Sequence, residues 1–158
     1  MPVTFYVYRK DVESQNHSET VAAPLAVCFA TAVDFERYPE WFSTITEARI
    51  IEADQSAGLW TVAFGLNMAI KTISYTLCYR AEGPDCLVWE LGGGDIKAIE
   101  GSYRFEDLGD NNTRATCRQA IDLGFWVPGP LRRSIERTAL TKSVREFKAA
   151  AESRAALL

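Results

Sequence analysis

From Ser43 onward apolar residues recur at every second position for about eighty residues, interrupted only by clusters of turn-forming residues. A strand places alternate side chains on opposite faces, so a run this long predicts an antiparallel meander with one apolar face and one wetter face. Trp60, Val62, Phe64, Leu66 and Met68 share one phase of the first clear strand. Ile73, Tyr75, Leu77 and Tyr79 share one phase of the next, followed by Leu87, Trp89 and Leu91. Ile99, Gly101, Tyr103 and Phe105 line one face of a further strand. In the last, residues 113–123, Ala115, Cys117, Gln119, Ile121 and Leu123 point inward. Glu82-Gly83-Pro84-Asp85, Gly92-Gly93-Gly94-Asp95 and Gly109-Asp110-Asn111-Asn112 read as the hairpin turns between strands.

The flanks differ in period. Ahead of the meander, VTFYVY at 3–8 and the stretch to Val21 are β-prone. Pro24 then opens a helix carrying Leu25, Cys28, Phe29 and Ala32 at i, i+3, i+4, i+7. Asp34 reads as the N-cap of a second short helix, which Pro39 ends. After Pro128-Gly129-Pro130 nothing interrupts a helix from Leu131 to about Arg154. Its apolar residues fall into two stripes. Leu131, Ile135 and Thr138 form one; Leu140, Val144, Phe147 and Ala151 form the other, more than a third of a turn away. The second half is expected to pack on the sheet. The first half either covers a cavity mouth or bends over a twisted sheet. One α+β domain over residues 1–158, with six or seven curved strands and two short helices after the first, is the expected architecture.

Composition narrows the chemistry. With 17 Lys+Arg against 21 Asp+Glu the formal charge is −4, so nucleic acid is not the expected partner. No apolar run spans a bilayer and no signal peptide is evident, which predicts a soluble, cytoplasmic protein. Cys28, Cys78, Cys86 and Cys117 lack Cys-x-x-Cys spacing and read as buried thiols, with a Cys78–Cys86 bridge as the alternative. His17 is the single histidine, so neither a paired-histidine metal site nor a cofactor is expected, and no His-based dyad is evident. Gly92-Gly93-Gly94 lacks the Lys-Ser/Thr of a phosphate loop. Asp34, Glu36, Arg37 and Glu40 read as capping and surface pairing, and Glu100 and Arg104 as outward-facing.

The candidate site is the inward face itself. Trp60, Phe64, Tyr75, Tyr79, Trp89, Tyr103 and Phe105 project to the side of Gly101 and Gln119. They either fill the core or line a pocket with a few orienting polar tips.

Several strings resemble one family. Thr20-Val21-Ala22-Ala23-Pro24 leading to Val27-Cys28-Phe29 is similar to the strand-to-helix entry of the SRPBCC, or START-like helix-grip, superfamily. Asp34-Phe35-Glu36-Arg37-Tyr38-Pro39-Glu40-Trp41 resembles its Asp-x-x-x-Tyr-Pro-x-Trp segment. Leu87 to Leu91, Glu100 to Phe105, and Pro128 to Arg133 resemble the polyketide cyclase/dehydrase and coenzyme Q-binding group, over about residues 12–152. The resemblance implies a sheet wrapped on the carboxy-terminal helix around an apolar cavity. It implies as ligand a lipid, isoprenoid quinone or polyketide-like molecule. Trp60, Phe64, Tyr75, Trp89 and Phe105 would form the walls, and Tyr79, Tyr103 and Gln119 would orient a carbonyl or hydroxyl beside Gly101. Phe125, Trp126, Val127, Leu131 and Ile135 would form a gate or a transient membrane contact. A polyketide cyclase or dehydratase using Tyr75, Tyr79, Tyr103 or Gln119 is the alternative, and it requires a charged group at the cavity. A ribosome-association module using Arg132, Arg133 and Arg137 is a third. In the family's segment, Tyr38 and Trp41 are expected to anchor the short helices rather than touch ligand.

Overall fold

The computed structural model describes residues 14–67, 71–124 and 126–158. The β-prone run at 3–8, Met68 and Phe125 lie outside these. Seven strands form one antiparallel sheet in the order β1-β7-β6-β5-β4-β3-β2: β1 (Gln15–Val21), β2 (Ile45–Asp54), β3 (Leu59–Asn67), β4 (Thr72–Ala81), β5 (Cys86–Gly94), β6 (Ala98–Gly109) and β7 (Asn112–Asp122). Every neighbouring pair except β1–β7 is consecutive in sequence, which is the meander the alternation predicts. Asp110 and Asn111 both take positive φ, 53° and 58°, the geometry of a tight hairpin between right-twisted strands.

Between β1 and β2 lie α1 (Leu25–Val33), a single 3₁₀ turn (Phe35–Arg37) and the short α2 (Tyr38–Trp41). Asp34 does not cap by side chain. Its carboxylate instead accepts from Arg154 at 2.9 Å, a tertiary contact no local pattern reveals. Pro39 does not end the second helix; it occupies α2's first turn, where its missing N–H costs nothing. The Gly92–Gly94 run is likewise not a turn. It continues β5, Gly94 pairing with Tyr75 across a register shift, and φ is +147° at Gly93 and +111° at Gly94. A Cβ on Gly94 would lie 2.5 Å from the Ser74 carbonyl, so only glycine fits this bulge.

The long helix α3 (Gly129–Ala156) lies across the concave face against β1, β7, α1 and α2. Its buried residues are Leu140, Val144, Phe147 and Ala151, the second predicted stripe and no other. Phe147 is fully buried, its ring 4.9 Å from Tyr103 and 5.7 Å from Phe105. Polar clamps gather on the same half. Glu146 accepts from the Ser43 amide, Glu152 from the Ala22 amide, Arg145 reaches Glu19, and Arg154 reaches Asp34. The first half is held differently, by Gln15 donating to the Arg133 carbonyl at 3.2 Å, while Leu131 and Ile135 remain about half exposed. All four cysteines are free thiols, so Cys78 and Cys86 are not bridged.

Candidate functional site

A cavity of about 230 Å³ lies between the first half of α3 and the concave sheet. Strands β3 to β7 supply its floor because their inward phase is apolar. Phe64, Tyr75, Tyr79, Trp89, Tyr103 and Gln119 line it, as does Ile135 from the helix. Seven of the expected site residues therefore meet at one void, and the core is not completely filled.

The other expected wall residues stand elsewhere. Trp60 packs edge-on to Phe35 at 5.6 Å, in the layer where the 3₁₀ turn covers the sheet. Phe105 stacks on Phe147 and meets Phe29, so it belongs to the sealed core beneath α3. Gly101 does not face the cavity. A Cβ there would lie 2.5 Å from two atoms of the Trp89 indole, so the glycine is the seat on which that ring rests. Trp126, 85% exposed, and Leu131 stand outside the lining.

Several lining residues escape a reading of the sequence. Tyr38 both anchors the short helices, donating its hydroxyl proton to the Ala32 carbonyl, and faces the cavity; Trp41 lies outside the lining. Phe42, Thr44 and Ile45 close the side beside α2. On α3, Glu136, Ala139, Leu140 and Ser143 line the cavity at i, i+3, i+4, i+7. That stripe is present in the sequence but hidden by its polar members.

One register row explains the polar tips. Gln15, Gln119, Gly101, Trp89 and Tyr79 are successive cross-strand partners from β1 to β4, so they share the concave face. Trp89 Nε1 donates to Gln119 Oε1 at 3.3 Å, and because an indole N–H can only donate, the amide orientation follows. Gln15 Nε2 reaches Glu136 Oε2 at 3.4 Å, and Arg132 approaches the other carboxylate oxygen at 3.9 Å. The Glu136 side chain is only 15% exposed. The Tyr103 hydroxyl is buried with no oxygen or nitrogen partner, and the Cys117 thiol lies against it. Burial drives its ionisation well above the ordinary phenol value, with the Cys117 thiol adding to the effect. Burial also raises Tyr79, and pushes Tyr75 and Cys117 each up to about 12. These phenols and the thiol are neutral at physiological pH, so Glu136 is the one formally charged lining residue among those described.

No group of His, Cys, Asp and Glu suited to a metal is found among the described residues, and no helix there is long and apolar enough to cross a membrane.

A curved antiparallel sheet closed by one long helix over a partly apolar cavity defines a START-like, helix-grip fold. The chain belongs to the family described as polyketide cyclase / dehydrase and lipid transport, whose model matches residues 21–148. The fold is similar to a START superfamily protein from Mycobacterium smegmatis, at TM-score 0.76 and 17% identity, over 91% of this chain and 97% of that one. It is also similar to the Zhui aromatase/cyclase from Streptomyces sp. R1128, at TM-score 0.75 and 17% identity over 90% and 93% of the two chains. A protein of Thermus thermophilus gives TM-score 0.77 at 14% identity over 92% and 98%. No curated protein sequence matches.

Proposed function

We propose that this protein binds an apolar small molecule in the cavity beneath the first half of α3. The observation that carries the reading is the cavity itself, walled by Phe64, Tyr75, Tyr79, Trp89 and Ile135 and edged by a few polar groups. Water in such a space gains little from its walls, so an apolar ligand displaces it favourably. Phe64, Tyr75, Trp89 and Ile135 supply contact area, while Tyr103 and Gln119 orient a polar atom. The loop carrying Trp126 and the loosely held first half of α3 form the gate. Membership of a family described by both cyclase/dehydrase and lipid-transport members supports this reading.

Native mass spectrometry of the freshly purified chain tests it. A stoichiometric adduct that leaves on denaturation and extracts into organic solvent is the expected result. A clean mass that stays clean after incubation with apolar extracts overturns it.

A second reading, a cyclase or dehydratase, is favoured by one observation: Glu136 places a carboxylate at the same cavity as four buried tyrosines. A carboxylate that takes a proton from a ketone-flanked carbon while a phenol donates to the developing enolate is ordinary acid–base chemistry. Turnover of a poly-ketone by the wild type that is lost in Glu136→Gln would establish it. Binding without turnover would leave the carrier reading.

A further inference from the structure

The cavity has a polar end whose chemistry specifies the ligand's head group. Three groups define it. The Tyr103 hydroxyl, on a residue only 6% exposed, has no oxygen or nitrogen partner and is met by the weakly bonding Cys117 thiol. The Gln119 amide has its oxygen committed to Trp89, which leaves its N–H groups as donors. Glu136 contributes an acceptor-only carboxylate that is held in place from one side by Gln15 and from the other by Arg132. The Tyr75 and Tyr79 hydroxyls, Thr44, Ser143 and the Cys117 thiol line the cavity as well, so the described lining offers several neutral donors, one carboxylate and no cation.

Size sets the second limit. An apolar cavity of about 150 Å³ accepts benzene. This one, at about 230 Å³, has room for a second fused ring but is smaller than the sites of drug-sized ligands.

We propose that the cavity selects a neutral, hydroxyl-bearing molecule of about two fused rings, and that Glu136 excludes anionic ligands. A hydroxyl is the small neutral group that can accept from Tyr103 or Gln119 and donate to Glu136 at once. A ketone only accepts, so it satisfies the donors and leaves the carboxylate unused. A carboxylate-bearing ligand, such as a fatty acid, finds no cation in the described lining and meets a carboxylate whose ion pair with Arg132 is already made. This inference rests on the apolar-ligand reading above and adds to it the head group and its charge.

Naphthalene, 2-naphthol and 2-naphthoate share one ring system and differ at that single position. Their binding is read at pH 7.5 by quenching of tryptophan fluorescence, since Trp89 lines the cavity, and confirmed by calorimetry. The expected order is naphthol about tenfold tighter than naphthalene, with naphthoate at least tenfold weaker than naphthol. Glu136→Gln should bring naphthoate to within about threefold of naphthol, and Tyr103→Phe should weaken naphthol about three- to tenfold, with naphthalene unchanged in both. Naphthalene binding reports that each variant still folds around its cavity. If all three bind equally to the wild type, the head-group inference fails while the apolar-ligand reading stands. If none binds at millimolar concentration, both fail.

Discussion

At the scale of single residues, Gly101 shows how a site residue can act through a neighbour. Strand phase alone predicts that it opens space for ligand, and it instead opens space for the Trp89 ring, whose atoms lie 2.5 Å from where a Cβ would stand. Gly101→Ala should therefore destabilise the fold by about 1–3 kcal/mol, measured as a lower denaturant midpoint. An unchanged midpoint would mean that Trp89 is not seated there. The buried phenols carry a pH prediction. Tyr75 rises from an ordinary value of 10.0 to about 12 because burial penalises its anion, and Tyr38, Tyr79 and Tyr103 shift the same way. A folded value above the unfolded one means that the native state holds its proton longer. The contribution is complete below about pH 10 and is lost as pH rises from there through about 12. Tyr75 alone amounts to roughly 2–3 kcal/mol across that window. Phenolate absorbance from these four should appear together with the loss of circular dichroism; its appearance near pH 10 in a still-folded chain would contradict the burial. Glu136 marks the limit of reading single residues from sequence. A charged side chain in a charged helix carries no sign that it turns inward, and only the Ala139, Leu140 and Ser143 positions on its stripe point to the cavity.

At the scale of elements, α3 has two halves with different work. The buried stripe of Leu140, Val144, Phe147 and Ala151 holds the helix to the sheet, whereas Leu131 is 53% exposed. Phe147→Ala should cost about 3–5 kcal/mol by chemical denaturation, and Leu131→Ala less than about 0.5 kcal/mol. Equal costs would mean that both halves pack alike. The phase break between the two stripes is legible in the sequence because both are apolar. The meander is legible for the same reason, each strand showing a large apolar residue at every second position. β1 is less so. Its inward residues Gln15, His17 and Glu19 are polar, so alternation there leaves no hydropathy signal, and only pairing with Gln119, Cys117 and Ala115 shows which face they occupy. The triple glycine reads as a turn in sequence because glycine marks turns and bulges alike, and the choice depends on how closely the Tyr75 backbone approaches. Wall and core are inseparable by pattern for a related reason. Trp60 and Phe105 have the same strand phase as Tyr79 and Tyr103, and what removes them from the cavity is coverage by Phe35 and Phe147, which are distant in sequence.

At the scale of the whole molecule, the buried stripe and the clamps on residues 140–154, against the half-exposed Leu131 and Ile135 of the first half, predict that the cavity opens by motion of the first half of α3 while the second half stays fixed. Hydrogen exchange should be faster at 129–139 than at 144–152. Trp126→Ala should raise the ligand off-rate several-fold with little change in stability; an unchanged off-rate would remove Trp126 from the gate. The β1–β7 pairing has a kinetic corollary. Ser18 and Thr116 bond across the sheet although 98 residues separate them, and β1 has no other strand beside it among the described residues. The hairpins from β2 to β7 can zip in succession, each closing a short loop, but β1 must wait for the last of them. Strands β1 and β7 therefore meet late, and Gln15, which ties the first half of α3, arrives with them. A refolding chain should pass through a collapsed sheet whose pocket is still unroofed, and a ligand added at that stage would be captured without ever using the gate.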